Sequence, residues 1–354
     1  MEILLEELYK LDLHIDKFHQ RKVFLDEDNY HITGISQSGK TTLVKNYLLS
    51  LKKSKYLYIN CLDVRIDINE LNNNLSQFCL DNKIEVLVLD NYTPDINLIN
   101  IAQLIITSEI NYKLDLFTHI QLFPLDYEEF LAYEHKYDSS ALNHFFQLGG
   151  FPAMHKVHAD ERSNYIQKTL LHTLDDIEFD IIKLCAKMMS QKLSAFTIYE
   201  RLRQERKISK DKLYLSYEKL LTKNYIYTLE KFNHTRATKK LYLCDISLKS
   251  ALSTDKHFGR LFENMIFLEL LKQNEECFYD DEIDFYLPNK NEIILGMAFT
   301  NERALFKKLE QIESFIFSYQ VDKVTAITMN KEGSVSHPIS KVEMVPFDIW
   351  AIGD

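Results

Sequence analysis

The chain has 354 residues, 46% of them apolar, 27% charged and 12% aromatic, a balance that excludes a disordered protein and leaves room for two or three domains. Its net charge of −10 argues against wholesale nucleic-acid binding, and its five scattered cysteines contain no CxxC pair for zinc or redox work. The acidic opening Met1-Glu2-Ile3-Leu4-Leu5-Glu6-Glu7 lacks the basic and apolar regions of a secretory signal, and no apolar run approaches the ~20 residues that span a bilayer. A cytoplasmic protein with no membrane partner is expected.

In chain order, Leu4, Leu5, Leu8, Leu11, Ile15 and Phe18 recur at helical spacing, and Tyr30-His31-Ile32-Thr33 reads as a short strand. A helix is predicted from Lys40, a strand over 56–59 and a helix over 68–80. Val86-Leu87-Val88-Leu89 is a continuous apolar run of the kind buried on both faces of a parallel sheet, and 104–107 repeats it. Strands alternating with helices predict an α/β domain over 1–150. Helical periodicity then runs through 166–174 and 177–189. Over 196–245 the order is helix, helix and two short strands (225–230 and 240–244), as in a winged helix, which completes a second domain over 151–252. Helices over 261–271 and 303–317, with strands between them, make 253–354 a third, α+β unit.

Gly34-Ile35-Ser36-Gln37-Ser38-Gly39-Lys40-Thr41 fits G-x-x-x-x-G-K-[ST], directly after a predicted strand and before a predicted helix. The chain holds only 8 glycines, so a chance match is disfavoured. Glycines let successive backbone N–H groups curl round phosphates, and the helix N-terminus adds partial positive charge. Gly34, Gln37, Ser38, Gly39, Lys40, Thr41 and Thr42 are thereby the candidate ATP contacts. Lys40 is placed on the β- and γ-phosphates and the Thr41 hydroxyl on Mg²⁺. Asp90, closing the apolar run, supplies the metal-side carboxylate. Asn91 follows it and cannot accept a proton from an attacking water. Thr107 and Ser108, ending the next strand, are candidate sensors of the γ-phosphate.

Residues 183–240 carry 15 Lys and Arg against 5 Asp and Glu, a local +10 that leaves −20 on the remainder. This segment is the candidate DNA contact, through Lys210 and Lys212 on the second helix of the motif and Arg236, Lys239 and Lys240 on the wing. The competing reading is a basic surface that docks on the acidic remainder of the same chain. The twelve histidines show no HxxxH or HExxH spacing, so zinc is not expected.

The chain resembles the bacterial and archaeal AAA+-type ATPases that carry a DUF4143-like C-terminal region. The likeness rests on the P-loop, Leu89-Asp90, Phe123-Pro124-Leu125 with Glu128-Glu129-Phe130, Gly149-Gly150-Phe151-Pro152, Phe258-Gly259-Arg260-Leu261-Phe262-Glu263-Asn264 and Glu282-Ile283-Asp284-Phe285. It implies an ATPase core followed by a winged helix and a restriction-endonuclease-like (PD-(D/E)XK) fold. Ser36 stands where relatives commonly have Arg, Asn91 where they have an acid, and 111–120 contains no Arg. Glu263 and Asp284 occupy the first two acidic positions of the nuclease pattern, but Gly296 and Ala298 replace its acid-x-Lys, so a degenerate site without cleavage is expected. The resulting expectation is a weak ATPase that couples nucleotide state to DNA, a protein partner or another copy of the chain. Its alternative is a nucleotide-gated scaffold that does not hydrolyse; a small-molecule P-loop kinase would account for only the first 110 residues.

Overall fold

The computed structural model describes residues 1–15, 21–134 and 139–353, so Phe18 of the expected first helix lies outside the described residues. Two compact units divide at Pro124/Leu125. In the first, α1 (Glu2–Lys10), β1 (Tyr30–Thr33), α2 (Lys40–Leu49), β2 (Tyr56–Asn60), α3 (Ile68–Asp81), β3 (Val86–Asp90), β4 (Gln103–Ser108) and β5 (Thr118–Gln121) come in order. All pairings are parallel, in the spatial order β2-β3-β4-β1-β5. The apolar run of β3 explains the sheet's centre. Leu87 and Leu89 join Leu57, Ile59, Leu104 and Ile106 against Leu5 of α1 and Leu71, Leu75 and Phe78 of α3. Val86 and Val88 face the other way, with Tyr30, Ile32 and Ile105 against Leu43, Val44 and Leu48 of α2. Strand alternation thus assigns α2 and α3 to opposite faces.

The second unit starts earlier than the periodicity suggests. It opens with α4 (Tyr127–Glu134) and α5 (Ser139–Leu148), which the sequence places in the ATPase domain. They belong with the C-terminal elements because the Tyr127 N–H donates to Glu269 (3.2 Å) and the Tyr127 ring packs on Phe347. The Gly149-Gly150 motif ties the start of the unit together: the Leu125 N–H donates to the Gly150 carbonyl (2.7 Å), and the Gly150 N–H to the buried Asp245 carboxylate (2.6 Å). Then come α6 (Arg162–Thr173), α7 (Asp176–Lys187), β6 (Gln191–Lys192), α8 (Ala195–Glu205), α9 (Lys210–Thr222), β7 (Ile226–Leu229), β8 (Lys240–Leu243), α10 (Ser247–Leu252) and α11 (Phe258–Lys272). An Asp175–Glu178 capping box starts α7, and Ser194 and Ser209 cap α8 and α9. Strands β6, β8 and β7 form an antiparallel sheet in that order.

The chain finishes with β9 (Phe278–Asp280), β10 (Ile283–Leu287), β11 (Glu292–Gly296), α12 (Glu302–Tyr319), β12 (Lys323–Thr328), β13 (Gly333–Val335), β14 (Lys341–Pro346) and α13 (Phe347–Ile352). These strands form a mixed six-stranded sheet, β13-β14-β12-β11-β10-β9, covered by Leu305, Leu309, Ile312 and Ile316 of α12. The turn after β7 runs on to this sheet's edge: the Tyr279 N–H donates to the Glu230 carbonyl (2.9 Å) and the Phe232 N–H to the Tyr279 carbonyl (2.8 Å).

Candidate functional site

The Gly-rich loop leaves the carboxyl end of β1 and enters α2. A Cβ on Gly34 would stand 2.3 Å from the Leu122 carbonyl oxygen, so only glycine lets the loop pass. Gly39 caps α2 in the left-handed region (φ 99°), which aims the first helical N–H groups into the loop. Gln37, also left-handed (φ 68°), is exposed, while Ser38 is buried with a hydroxyl that has no partner among the described residues. Thr42 lies half-buried in the first turn of α2. Arg21, which sequence reasoning passed over, braces the loop by donating to the Ser38 carbonyl (2.9 Å) and the Phe123 carbonyl (2.7 Å).

Lys40 is 7% exposed and its ammonium donates to the carbonyls of Gly34 (2.6 Å) and Ile35 (2.9 Å). Burial lowers its pKa, against the opposing pull of the Glu109 and Asp90 carboxylates. Asp90 ends β3 on the α2 side of the sheet. One carboxylate oxygen accepts the hydroxyls of Thr41 (2.7 Å) and Tyr58 (2.6 Å), and the other accepts that of Thr107. Tyr58 was not singled out from sequence. Its signal is alternation, because Tyr56 and Tyr58 sit on the strand face shared with Val86, Val88 and Asp90. Burial and Asp90 push the Tyr58 phenol's pKa up, which keeps it a donor.

The two sensor candidates part company. Thr107 joins Asp90, whereas Ser108 faces the opposite side, where its hydroxyl meets His31 Nε2 (2.7 Å) and donates to the Ile110 carbonyl (2.6 Å). Adjacent residues of a strand cannot share a face. Burial, with a contribution from His119, lowers the His31 pKa to about 4, so this imidazole is neutral at pH 7. Asn91 turns into the left-handed region (φ 60°), its N–H donating to Thr107 Oγ1 (3.0 Å) and its amide to Asn60 (3.1 Å). The donor set beside the loop, one hydroxyl and one carboxylate, is of the hard-oxygen kind that suits Mg²⁺ completed by phosphate and water.

In the second unit, Glu263 on α11 and Asp284 on β10 come together, as their spacing suggests, but around a lysine. Lys240 Nζ lies 2.8 Å from Glu263 Oε1 and 3.6 Å from Asp284 Oδ1, and Tyr242 donates to the same Glu263 oxygen (2.8 Å). The Gly296 N–H donates to Asp284 (2.9 Å). Burial and Asp284 push the Glu263 carboxyl up to about 7, although Lys240 and Tyr242 pull it down. Burial opposes the Lys240 charge, and the two carboxylates more than offset it, leaving its pKa raised.

Lys240 is therefore an internal ion-pair partner and no exposed phosphate contact. Lys239 pairs with Glu230 (2.7 Å), while Lys192 and Lys231 both reach Asp281 (3.0 and 2.6 Å). Lys192, Lys231 and Lys240 thus meet carboxylates of the acidic remainder, whereas the partner of Lys239 lies within the basic segment itself. Lys210 and Lys212 are exposed at the start of α9, Lys210 lying over the Phe196 and Tyr214 rings (5.7 and 5.5 Å), and Arg236 is exposed in the turn between β7 and β8.

Among known proteins, the AAA domain family model matches residues 26–113. The uncharacterized protein MJ1544 of Methanocaldococcus jannaschii is 25% identical over 91% of this chain and 87% of its own length. The Aeropyrum pernix Orc1 protein, in a structure with DNA, aligns at a TM-score of 0.32 and 14% identity over 66% of this chain and 88% of that one. No helix among the described residues is long and apolar enough to cross a membrane. The matched span holds the Gly-rich loop and strands β1 to β4 of the parallel sheet, an arrangement that fits a P-loop ATPase core.

Proposed function

We propose that the first unit binds Mg²⁺–ATP and hydrolyses it slowly, and that the second unit, a winged helix followed by an inactive endonuclease-like domain, converts nucleotide state into binding of a partner in the cytoplasm. The observation that carries the nucleotide reading is the convergence of Lys40, Thr41, Asp90 and Thr107 at the carboxyl ends of β1, β3 and β4. Lys40 would exchange its two loop carbonyls for phosphate oxygens, and Thr41 and Asp90 would hold the metal, which neutralises phosphate charge when bound. Gln37, Ser38, Gly39 and Thr42 supply backbone N–H groups to the phosphates. Calorimetric titration of the full chain with ATP tests this: saturable binding strengthened by Mg²⁺ is expected, and no binding at millimolar ATP sinks it.

DNA is the favoured partner because Lys210, Lys212 and Arg236 stand exposed, whereas Lys239 and Lys240 are paired with carboxylates. Lys210→Glu with Lys212→Glu should weaken duplex binding at least about tenfold at 100 mM salt and flatten its salt dependence. Unchanged affinity in this double variant would move the partner from DNA to protein.

A further inference from the structure

We propose that Tyr58 is a positioning residue for the metal side of this site: its phenol fixes the orientation of the Asp90 carboxylate and thereby sets the affinity of the ATP-loaded site for Mg²⁺. The inference rests on the ATP-binding reading of the loop and adds a residue that the reading does not use. Asp90 ends β3, which runs between β2 and β4, and each neighbouring strand sends one hydroxyl to it. From β2, Tyr58 donates to Oδ2 (2.6 Å); from β4, Thr107 donates to Oδ1. A carboxylate with a donor on each oxygen cannot turn without breaking one of the two bonds.

The register explains why this place calls for a tyrosine. Tyr58 stands level with Val88, two residues before Asp90 on the same face of the sheet. At about 3.3 Å per residue, roughly 6–7 Å of strand separates the two, a gap that a phenol spans and a serine or threonine does not. The ring is held in place. It belongs to the buried cluster of Val86, Val88, Ile105 and Leu43, and the Lys45 ammonium lies 5.1 Å from its centroid. Lys45 comes one turn after Thr41 on α2, so one face of that helix carries both the metal-side hydroxyl and the cation over the ring. On the other side, Leu89 pairs with Ile106, which brings Thr107 level with Asp90, and the Thr107 oxygen accepts the Asn91 N–H (3.0 Å) while its proton goes to Asp90.

Thr41 shares the Oδ2 oxygen with Tyr58 (2.7 Å) but plays a different part. It starts the helix at the phosphate loop and is itself a candidate metal ligand, whereas Tyr58 reaches the site from β2 and acts through the carboxylate. Asp90 is 1% exposed, so bulk water has little access to replace a lost donor. Without the phenol, Oδ2 would depend on Thr41 alone, the one hydroxyl that the metal also needs. Partners that orient a metal ligand from behind commonly govern metal affinity by about 10- to 100-fold, and Tyr58 is placed to do so here.

Tyr58→Phe in the full chain provides the test, because it removes the hydroxyl and keeps the ring. ATP affinity is measured by calorimetry with saturating Mg²⁺ and again with EDTA, on the native chain, Tyr58→Phe, Asp90→Asn and the double variant. In Tyr58→Phe the strengthening by Mg²⁺ should fall at least about tenfold while affinity in EDTA stays within about threefold of native, a split that a merely structural side chain would not give. Since Tyr58 acts through Asp90, adding Tyr58→Phe to Asp90→Asn should change the Mg²⁺ strengthening by less than about threefold. A smaller fall in Tyr58→Phe, or a larger further change on top of Asp90→Asn, overturns the assignment. A native chain whose ATP affinity does not respond to Mg²⁺ overturns it too while leaving nucleotide binding intact; a native chain that fails to bind ATP overturns both.

Discussion

Lys40→Ala loses ATP affinity by at least about 100-fold and keeps its fold. The ammonium is nearly buried at the loop, where charge-assisted hydrogen bonds to phosphate oxygens contribute about 3 kcal/mol, which corresponds to that factor. The fold survives because burial depresses the Lys40 pKa. A lysine that holds its proton less tightly folded than unfolded costs stability at every pH below its unfolded pKa, pH 7 included. Removing it should leave the melting temperature unchanged or raise it slightly. Titration with ATP beside a thermal melt separates the two effects; affinity within about threefold of native would refute the role given to Lys40.

The second large effect belongs to Lys240→Met, which should destabilise the second unit by about 3–5 kcal/mol by leaving Glu263 and Asp284 together without their cation. In a unit of this size that lowers its unfolding temperature by roughly 6–20 °C. Adding Glu263→Gln should recover part of the loss, since one buried charge disappears with its repulsion. The native cluster also predicts a pH dependence. The Glu263 carboxyl titrates near 7 when folded, above the ordinary glutamate value of about 4.3. Folding is thus favoured by protonation: the contribution is full below about pH 4.3 and is lost as pH rises through about 7. Glu263→Gln should remove that slope from a series of urea melts, and a slope that persists would place the titration elsewhere.

The loop was legible because its chemistry is local, a short spacing between a strand and a helix. Asp90 was legible because the apolar run before it could only be a buried strand. Tyr58 was not, since its contact to Asp90 depends on which strands become neighbours, and Arg21 was not, since it stands outside any helix or strand, where no periodic pattern marks it. The pair Thr107 and Ser108 shows the same limit at finer scale, because proximity in sequence conceals opposite faces. Strand β5 escaped notice because Thr118-His119-Ile120-Gln121 is a short, largely polar edge without an apolar run. Charge counting failed at Lys240 for a physical reason: a sum over a segment ignores partners such as Glu263 and Asp284 that the fold supplies from outside it, as Asp281 does for Lys192 and Lys231.

The main-chain bonds from Glu230 and Phe232 to Tyr279 bear on how the molecule can be divided. A cut at Leu252/Ser253, which the pattern of helices and strands invites, would strip the hairpin of its neighbour and leave bare amides and carbonyls of the kind that recruit other chains. It would also set Lys240 loose from both its carboxylates. The smallest autonomous fragment on the C-terminal side should begin near Leu125 and keep everything after it.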